Sequence, residues 1–297
     1  MRIGILGTAD NPYVLDVQRA AAEHFPGMST VLLRWADLQV AIGAPGVELA
    51  TGLVPELSAA LPLDGLLVRS MPIGSLEQVI FRMDCLQTWL ERGLAICNPP
   101  RSLEVAIDKW LCLQRLQAAG VSVPPTICCQ TRQSAMLAWE MLGGDVLVKP
   151  LFGGEGRGIV RLQDKDMAWR CFGTLQQLGQ VLYVQQFIEH LGYDIRVLAV
   201  GQQRYAVRRV APAGGWRTNI SQGSHAEPHD LTCQQADVAQ RCCEVVGGSL
   251  LGIDLLPSRD GQLWVLEVNA VPGWRGVGSA LHVDVAREIL KVISQHV

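Results

Sequence analysis

The residues whose types and spacing can do chemistry are Asp254, Glu267 and Asn269. They fall within LGIDLLPSRDGQLWVLEVNAVPG, residues 251–273, which reads as a β-hairpin. Asp260-Gly261 predicts a two-residue turn, because glycine supplies the positive φ of a primed turn and aspartate tolerates it. Pairing symmetric about that turn sets Asp254 opposite Glu267, and Asn269, two residues further on, shares the face of Glu267. Two carboxylates and an amide carbonyl, with no histidine or cysteine beside them, suit a hard cation such as Mg2+, with Mn2+ as an alternative. The same pattern alone also describes a solvated sheet face. The weight therefore falls on whether the rest of the chain supplies a phosphate-bearing partner.

Lysine is scarce and occurs at 109, 149, 165 and 291. Lys149 ends the apolar strand DVLVKP, and LFGGEGRGIV follows, with glycines at 153, 154, 156 and 158. Backbone N–H groups of such a loop can approach phosphate oxygens with no side chains in the way. Ile159-Val160-Arg161-Leu162 then alternates like a strand, so the glycines join two antiparallel strands. A Walker loop is excluded, because Lys149 precedes the glycines and no helix follows directly. A glycine flap between strands, with a lysine on the strand, is how kinases build a nucleotide lid. Residues 181–184 read as a buried strand that runs into Gln185, Gln186, Phe187 and Ile188, a strand end where backbone groups can read an adenine edge. A second hairpin, 194–200 and 204–210 across Gly201-Gln202-Gln203, carries Arg196, Arg208 and Arg209, and a loop with Arg217, Thr218 and Asn219 follows. Arginines so placed clamp phosphates or carboxylates, or else blunt a sheet edge.

Several elements must position these groups. Strands near 2–7, 30–33, 65–69 and 95–97 alternate with helical stretches, which predicts an open, largely parallel α/β unit. Its best helix runs from 76 to 92, with a Ser75/Gln78 capping box and Gly93 as a stop. Gly4 and Gly7 are no dinucleotide fingerprint, since the third glycine is missing and the pair lies within the strand. Asn98-Pro99-Pro100 marks a boundary, and Ser102 predicts the cap of one helix reaching Ala119, with Asp108-Lys109 on it. Helices follow at 165–178, at 232–246 behind a Thr232/Gln235 capping box, and at 283–293.

The 297 residues, 49% hydrophobic and 18% charged, describe a compact protein of two or three domains. A net charge of −3 argues against nucleic acid as the partner. No apolar run is long enough for a membrane span, and MRIGILG is too short for a secretory signal, so a cytoplasmic location is expected. Nine cysteines without a CxxC spacing read as reduced core thiols.

The order of motifs, DK on a helix, VLVKP, GGEGRGIV, VQQFI, GYDIRV, RR, RTN, GID and LEVNAVPG, resembles the ATP-grasp superfamily, specifically its RimK-like α-L-glutamate ligases. The resemblance runs from about residue 98 to the C-terminus. It implies an α/β fold, α+β towards the C-terminus, with an N-terminal pre-ATP-grasp domain at 1–98, a central subdomain with the flap at 99–184 and a C-terminal subdomain at 185–297. It implies that Lys109 and Lys149 contact ATP phosphates and that Gly153, Gly154, Glu155, Gly156 and Gly158 close over them. Gln185, Gln186, Phe187 and Ile188 would line the adenine, and Asp194 would belong to the same cofactor site. Asp254, Glu267 and Asn269 would hold Mg2+, with Arg196, Arg209, Arg217 and Asn219 at the reacting groups. Gln186 departs from the glutamate common in the family.

Such an enzyme activates a carboxylate by phosphoryl transfer from ATP, and an amine then attacks the acyl phosphate. L-Glutamate and a small-molecule carboxylate acceptor are the implied substrates. RSMPIGSLEQVIFRMD and NAVPGWRG look most like ligases acting on tetrahydromethanopterin-type C1 carriers. Trp216 and Trp274, in loops beside these motifs, can stack on a flat acceptor or simply pack. A phosphotransferase and a non-catalytic nucleotide-binding module are the competing readings, and a homo-oligomer is allowed.

Overall fold

The computed structural model describes residues 1–39, 50–51, 63–154, 156–212, 215–218 and 225–295. Its first unit comprises β1 (Arg2–Leu6), α1 (Pro12–His24), β2 (Ser29–Leu33), β3 (Leu38–Gln39), β4 (Ala50–Thr51), β5 (Gly65–Val68), α2 (Leu76–Glu91) and β6 (Ala95–Cys97). The main sheet runs β2-β1-β5-β6, every pair parallel, as strand and helix alternation predicts, while β3 and β4 pair separately. Both halves of the Ser75/Gln78 capping box are made, and Gly93 at φ +90° ends the helix.

The expected single helix over 102–119 is two helices, α3 (Pro100–Ile107) and α4 (Lys109–Ala118). Pro99, not Ser102, stands at the first N-cap. The break falls at Asp108, whose backbone is extended and whose carboxylate accepts the Leu111 N–H at 3.0 Å. Aspartate competes well for backbone N–H groups, so it starts a helix more readily than it continues one. Lys109 therefore becomes the first residue of a helix, not a point on a solvated face.

A second sheet, β7-β10-β8-β9, is built from β7 (Thr126–Cys129), α5 (Arg132–Met141), β8 (Val146–Lys149), β9 (Val160–Leu162), α6 (Lys165–Gln177) and β10 (Leu182–Gln186). β8 and β9 are antiparallel, with the glycine flap between them. The third unit comprises β11 (Tyr193–Val200), β12 (Gln203–Val210), β13 (His225–Pro228), α7 (Cys233–Val246), β14 (Leu250–Pro257), β15 (Leu263–Asn269), α8 (Arg275–Leu281) and α9 (Val285–Gln295). Its five-stranded sheet has the order β13-β12-β11-β14-β15. Val200 pairs with Gln203, so the turn between β11 and β12 has two residues, Gly201-Gln202, where three were expected. All nine cysteines are free thiols, and five of them are buried.

The first and third units share their cores. One apolar cluster joins Ile5, Val17 and Leu67 to Leu198, Trp274 and Ile289, and another joins Leu66 and Leu86 to Leu116, Ile253 and Val265. The β7–β10 sheet has its own cluster, centred on Val148, Phe172 and Leu182. Where the first unit meets the third, Asn98 is buried at 1% exposure. Its amide donates to the carbonyls of Leu250 and Ala270 at 2.6 and 2.7 Å, and its oxygen accepts the N–H groups of Ser249 and Leu250 at 2.9 Å each. Every hydrogen-bonding position of that amide is used. Leu250 begins β14 and Ala270 follows β15, so one side chain ties down both arms of the hairpin that carries Asp254 and Glu267.

Asn98→Asp is close to isosteric but turns two donors into acceptors facing carbonyl oxygens. A loss of about 3 kcal/mol or more is expected, from several buried groups each left unpaired at about 1–3 kcal/mol. Denaturant unfolding midpoints check it.

Candidate active site

The register of the five-stranded sheet builds the site. Asp194 stands opposite Arg209, Arg196 opposite Asp254, and Asp254 opposite Glu267, with Gly252 opposite Asn269 in the adjoining row. Side chains two apart on a strand share a face, so these polar groups project together. Arg208 falls on the other face and pairs with Glu227 at 2.6 Å.

Asp254 meets Glu267 by a different route from the one the turn suggests. Pro257 pairs with Leu263 and Leu255 with Val265, a register one residue short of that of Asp254 and Glu267. The turn is longer than two residues: Gly261 N–H donates to the Ser258 carbonyl and Ser258 N–H to the Gln262 carbonyl, with Gly261 at φ +85°. This is the three-residue loop closed by a left-handed glycine. A β-bulge between Asp254 and Leu255 in the pairing leaves Leu266 as the extra residue and restores the match. Two departures from the simple hairpin cancel.

Charged side chains on this face are tied into a network. Arg209 grips Asp194 through two hydrogen bonds, at 2.7 and 2.6 Å, and reaches Asp254 at 3.0 Å. Thr218 donates its hydroxyl to Asp194 at 2.6 Å. Arg196 Nη2 donates to Asp254 Oδ2 at 3.0 Å, and its Nε lies 2.5 Å from Oδ1 in poor alignment, leaving Oδ1 without a directed hydrogen bond. Burial alone would raise the Asp254 carboxyl, but Arg196 and Arg209 hold it below the usual range. Gly252 makes room for this: a Cβ there would come within 2.6 Å of Arg196 Nη1 and 2.9 Å of Pro272. The glycine of GID is thus a close-approach position, which a glycine inside a strand signals.

Glu267 is compensated far less. Its contact among the described residues is Asn269 Nδ2 at 3.5 Å. Burial and the charge of Asp254 push its carboxyl upward, against Arg196, Lys149 and Lys109. Lys149, 8% exposed on β8, is pulled down by burial to about 8, against the attraction of Glu267. Lys109 is likewise lowered by burial, and its ammonium donates to the Gly153 carbonyl of the flap at 2.5 Å. Glu267 pushed towards neutrality, with two ammoniums pushed the same way, marks a candidate ligand site.

Over these groups lies the flap. Gly153, Gly156 and Gly158 have φ of +115°, +72° and +73°, and a Cβ on Gly158 would sit 2.9 Å from Pro150. Arg217 Nη2 donates to the Ile159 carbonyl at 3.2 Å, linking the 215–218 loop to the flap base. One cleft is lined by Lys149, Gly156, Gln185, Gln186, Phe187, Ile188, Asp194, Arg209, Arg217, Asp254 and Glu267. Lys109, Gly153, Gly154 and Asn269 line an adjoining cavity that shares Glu267 as a wall. Glu155 and Asn219 lie outside the described residues.

Two expectations narrow here. The Gln186 and Phe187 amides are already spent on the carbonyls of Pro125 and Asp145, whereas the Ile188 amide makes no hydrogen bond among the described residues. Gln185 turns its side chain to Thr126 and Tyr183. Trp274 does not reach the cleft: it is 1% exposed, donates to Asp16 at 2.8 Å and packs on Tyr13 and Arg69. Trp216 does line it, edge-on to Phe187, whose ring also meets the Arg161 guanidinium at 3.5 Å. Thr218, the middle of RTN, lines the cleft beside Asp194, and His190 is a cleft residue with no motif to announce it.

Arg209→Met is expected to destabilise by about 3–5 kcal/mol, because two buried carboxylates lose their counter-charge. Arg208→Met, on the solvent face, should leave stability nearly unchanged. Paired urea melts of the two variants test the assignment of faces.

Residues 106–293 match the RimK-like ATP-grasp domain. A tetrahydromethanopterin:α-L-glutamate ligase from Methanosarcina acetivorans is 30% identical over 259 residues, covering 78% of this chain and 80% of that protein. A probable α-L-glutamate ligase of Legionella pneumophila is 28% identical over 302 residues, covering 99% and 96%. Among solved structures, the ATP-grasp ligase PsnB complexed with its minimal precursor superposes at a TM-score of 0.78, with 20% identity over 99% of both chains. D-Alanine–D-alanine ligase from Bacillus anthracis complexed with ATP superposes at 0.70, with 16% identity over 100% of this chain and 97% of that one. The domain match spans more than half of the sequence, and the chain belongs to the RimK-like ATP-grasp family of ATP-dependent, ADP-forming carboxylate–amine ligases.

Proposed function

We propose that this ligase adds L-glutamate to a small-molecule carboxylate through an acyl phosphate, and that a tetrahydromethanopterin-type carrier is the acceptor class. The observation that carries the reading is the single row of Arg196, Asp254 and Glu267, set beside Lys149 beneath a glycine flap. The acceptor class is supported by two relatives, 30% identical, that are named tetrahydromethanopterin:α-L-glutamate ligase.

An acceptor carboxylate oxygen attacks the γ-phosphorus of ATP and ADP departs. The amine of glutamate, once deprotonated, then attacks the acyl carbon and inorganic phosphate leaves. Asp254, Glu267 and Asn269 would hold Mg2+, and the all-oxygen donor set, with Glu267 weakly compensated, fits such an ion. When bound, Mg2+ offsets negative charge on the phosphates. Lys149 and Lys109 contribute positive charge to the same phosphates, with Lys109 exchanging its flap carbonyl for a phosphate oxygen. Gly153, Gly154, Gly156 and Gly158 let the flap close on ATP and exclude water. Residues 185–188 border the adenine, with the Ile188 amide as the free donor. Asp194 fixes Arg209, and Arg209 and Arg196 fix Asp254, so these arginines work mainly by holding a carboxylate charged and oriented. Arg217, brought by the loop to the flap base, is the arginine of the set best disposed to meet the reacting groups.

Incubation with ATP, Mg2+, L-glutamate and candidate carboxylates should release ADP in a glutamate-dependent way and add the mass of glutamyl residues to the acceptor. ADP release indifferent to glutamate would overturn the ligation reading. Glu267→Gln should lower kcat by more than about 100-fold, the upper range for losing even an outer-shell partner of a metal ligand. Its circular dichroism should match that of the parent, and near-normal turnover would refute the metal assignment.

A further inference from the structure

Glu267 separates two cavities. On one side is the cleft of Lys149 and residues 185–188, and on the other a second cavity of about 550 Å3. Its walls come from Ile73 before α2, from α2 itself (Leu76, Val79), from α3 (Ala106, Ile107) and from the flap (Phe152). Ile73 is fully exposed, and Leu76 and Phe152 are 76% and 57% exposed. Single exposed apolar side chains are ordinary, but a group of them around one cavity marks a surface that binds something. Among the described residues, the charged and amide side chains that reach this cavity are Lys109, Glu267 and Asn269, and they lie together: Asn269 is 3.5 Å from Glu267, and the charge of Glu267 acts on Lys109.

Its shape and polarity select among the substrates. L-Glutamate carries three charged groups, and burying any of them against Ile73, Leu76 and Phe152 has no compensating partner there. A molecule with one carboxylate at the end of an apolar body fits: the carboxylate meets Lys109 and Asn269 at the shared wall, where phosphoryl transfer takes place, and the body fills the remainder. A volume of about 550 Å3 is that of a small-molecule pocket, not of a polypeptide surface. We propose that this cavity is the acceptor pocket and that the acceptor is a small carboxylic acid with an apolar, ring- or chain-bearing body. The assignment rests on the ligation reading above, without its tetrahydromethanopterin-type acceptor, and gives the acceptor's chemical character and location.

Calorimetry in the presence of Mg2+ and the non-hydrolysable AMPPNP measures binding without turnover. The probes are 4-phenylbutyrate and 4-(diethylamino)benzoate, against succinate and tri-L-glutamate. The aryl acids should bind at least tenfold more tightly than the polar ones. Ala106→Trp, which fills the cavity from α3, should weaken their binding at least tenfold and leave AMPPNP affinity unchanged. Val79→Asp, on the facing wall, should do the same and serves if the first variant folds poorly. Equal binding of polar and aryl acids, or aryl binding indifferent to both substitutions, would overturn the pocket assignment. Turnover separates this from the parent reading. Glutamate-dependent ADP release confined to tri-L-glutamate and succinate sinks the pocket and keeps the ligase. Aryl acids that bind and respond to Ala106→Trp, with no acceptor supporting glutamate-dependent ADP release, keep the pocket and sink the ligase.

Discussion

Asp254 holds its charge in a buried place because two arginines are fixed beside it, and the rest of the site depends on that arrangement. Removing four charged groups from water is expensive, and the pairing of Arg196 and Arg209 with Asp254 and Asp194 recovers the cost only with close, directed contacts. Sheet register supplies those contacts, since each partner stands opposite or two residues from the next. Glycine at 252 keeps the space that Arg196 needs, and Asn98 anchors the arms of the hairpin on which Asp254 and Glu267 sit. With Arg196 and Arg209 spent on those carboxylates, Glu267, Lys149 and Lys109 have no ion-pair partner among the described residues. A tightly ion-paired network and a loosely compensated set of charges thus lie side by side.

Core organisation says how the two substrates of such a ligase can be enclosed. The first and third units share apolar clusters, so the sheet carrying Asp254 and Glu267 is held against the N-terminal sheet as one mass. β7–β10, with α5 and α6, have a separate core, and the flap, Lys149 and residues 185–188 all belong to that part. Those residues therefore sit on an element with a core largely its own, joined to the carboxylate sheet through Tyr183 of β10. Motions of lids over active sites use such separately packed units. The contacts of Lys109 with the Gly153 carbonyl and of Arg217 with the Ile159 carbonyl tether the flap to the rest.

Where Glu267 stands is as informative as what it is. It forms a wall common to the polar cleft and the apolar cavity, and a carboxylate that must meet a phosphoryl group has to do so at such a wall. The Leu266 bulge turns β15 at that point, and Leu266 lines both spaces as well. Bulges next to active sites re-aim side chains, and here the bulge also corrects the register of the hairpin.

Much of this was legible in the residues. Alternating apolar runs and capping boxes at Ser75 and Thr232 fix local structure through forces a few residues long, and the strands and helices they predict are present. The scarcity of lysine and the D…E-x-N spacing point to the same few positions that the fold gathers at one cleft and its neighbour. Less local choices were not legible. Residues 126–141, which form β7 and α5, carry no distinct signal, because their burial is set by β10 and α6. The sequence pattern allowed Trp274 to face a ligand, but tertiary packing seals it between Tyr13, Arg69 and Asp16. Nor does any spacing reveal that Asn98 bonds to residues about 150 positions away, or that a longer turn and a bulge offset one another. By itself the sequence determined which chemical groups are available and the local elements that carry them, because propensity, capping and periodicity act between near neighbours. Only the tertiary structure decided which arginine neutralises which carboxylate, and so which charges stay open to a ligand, because that depends on strand register and on contacts between distant parts of the chain.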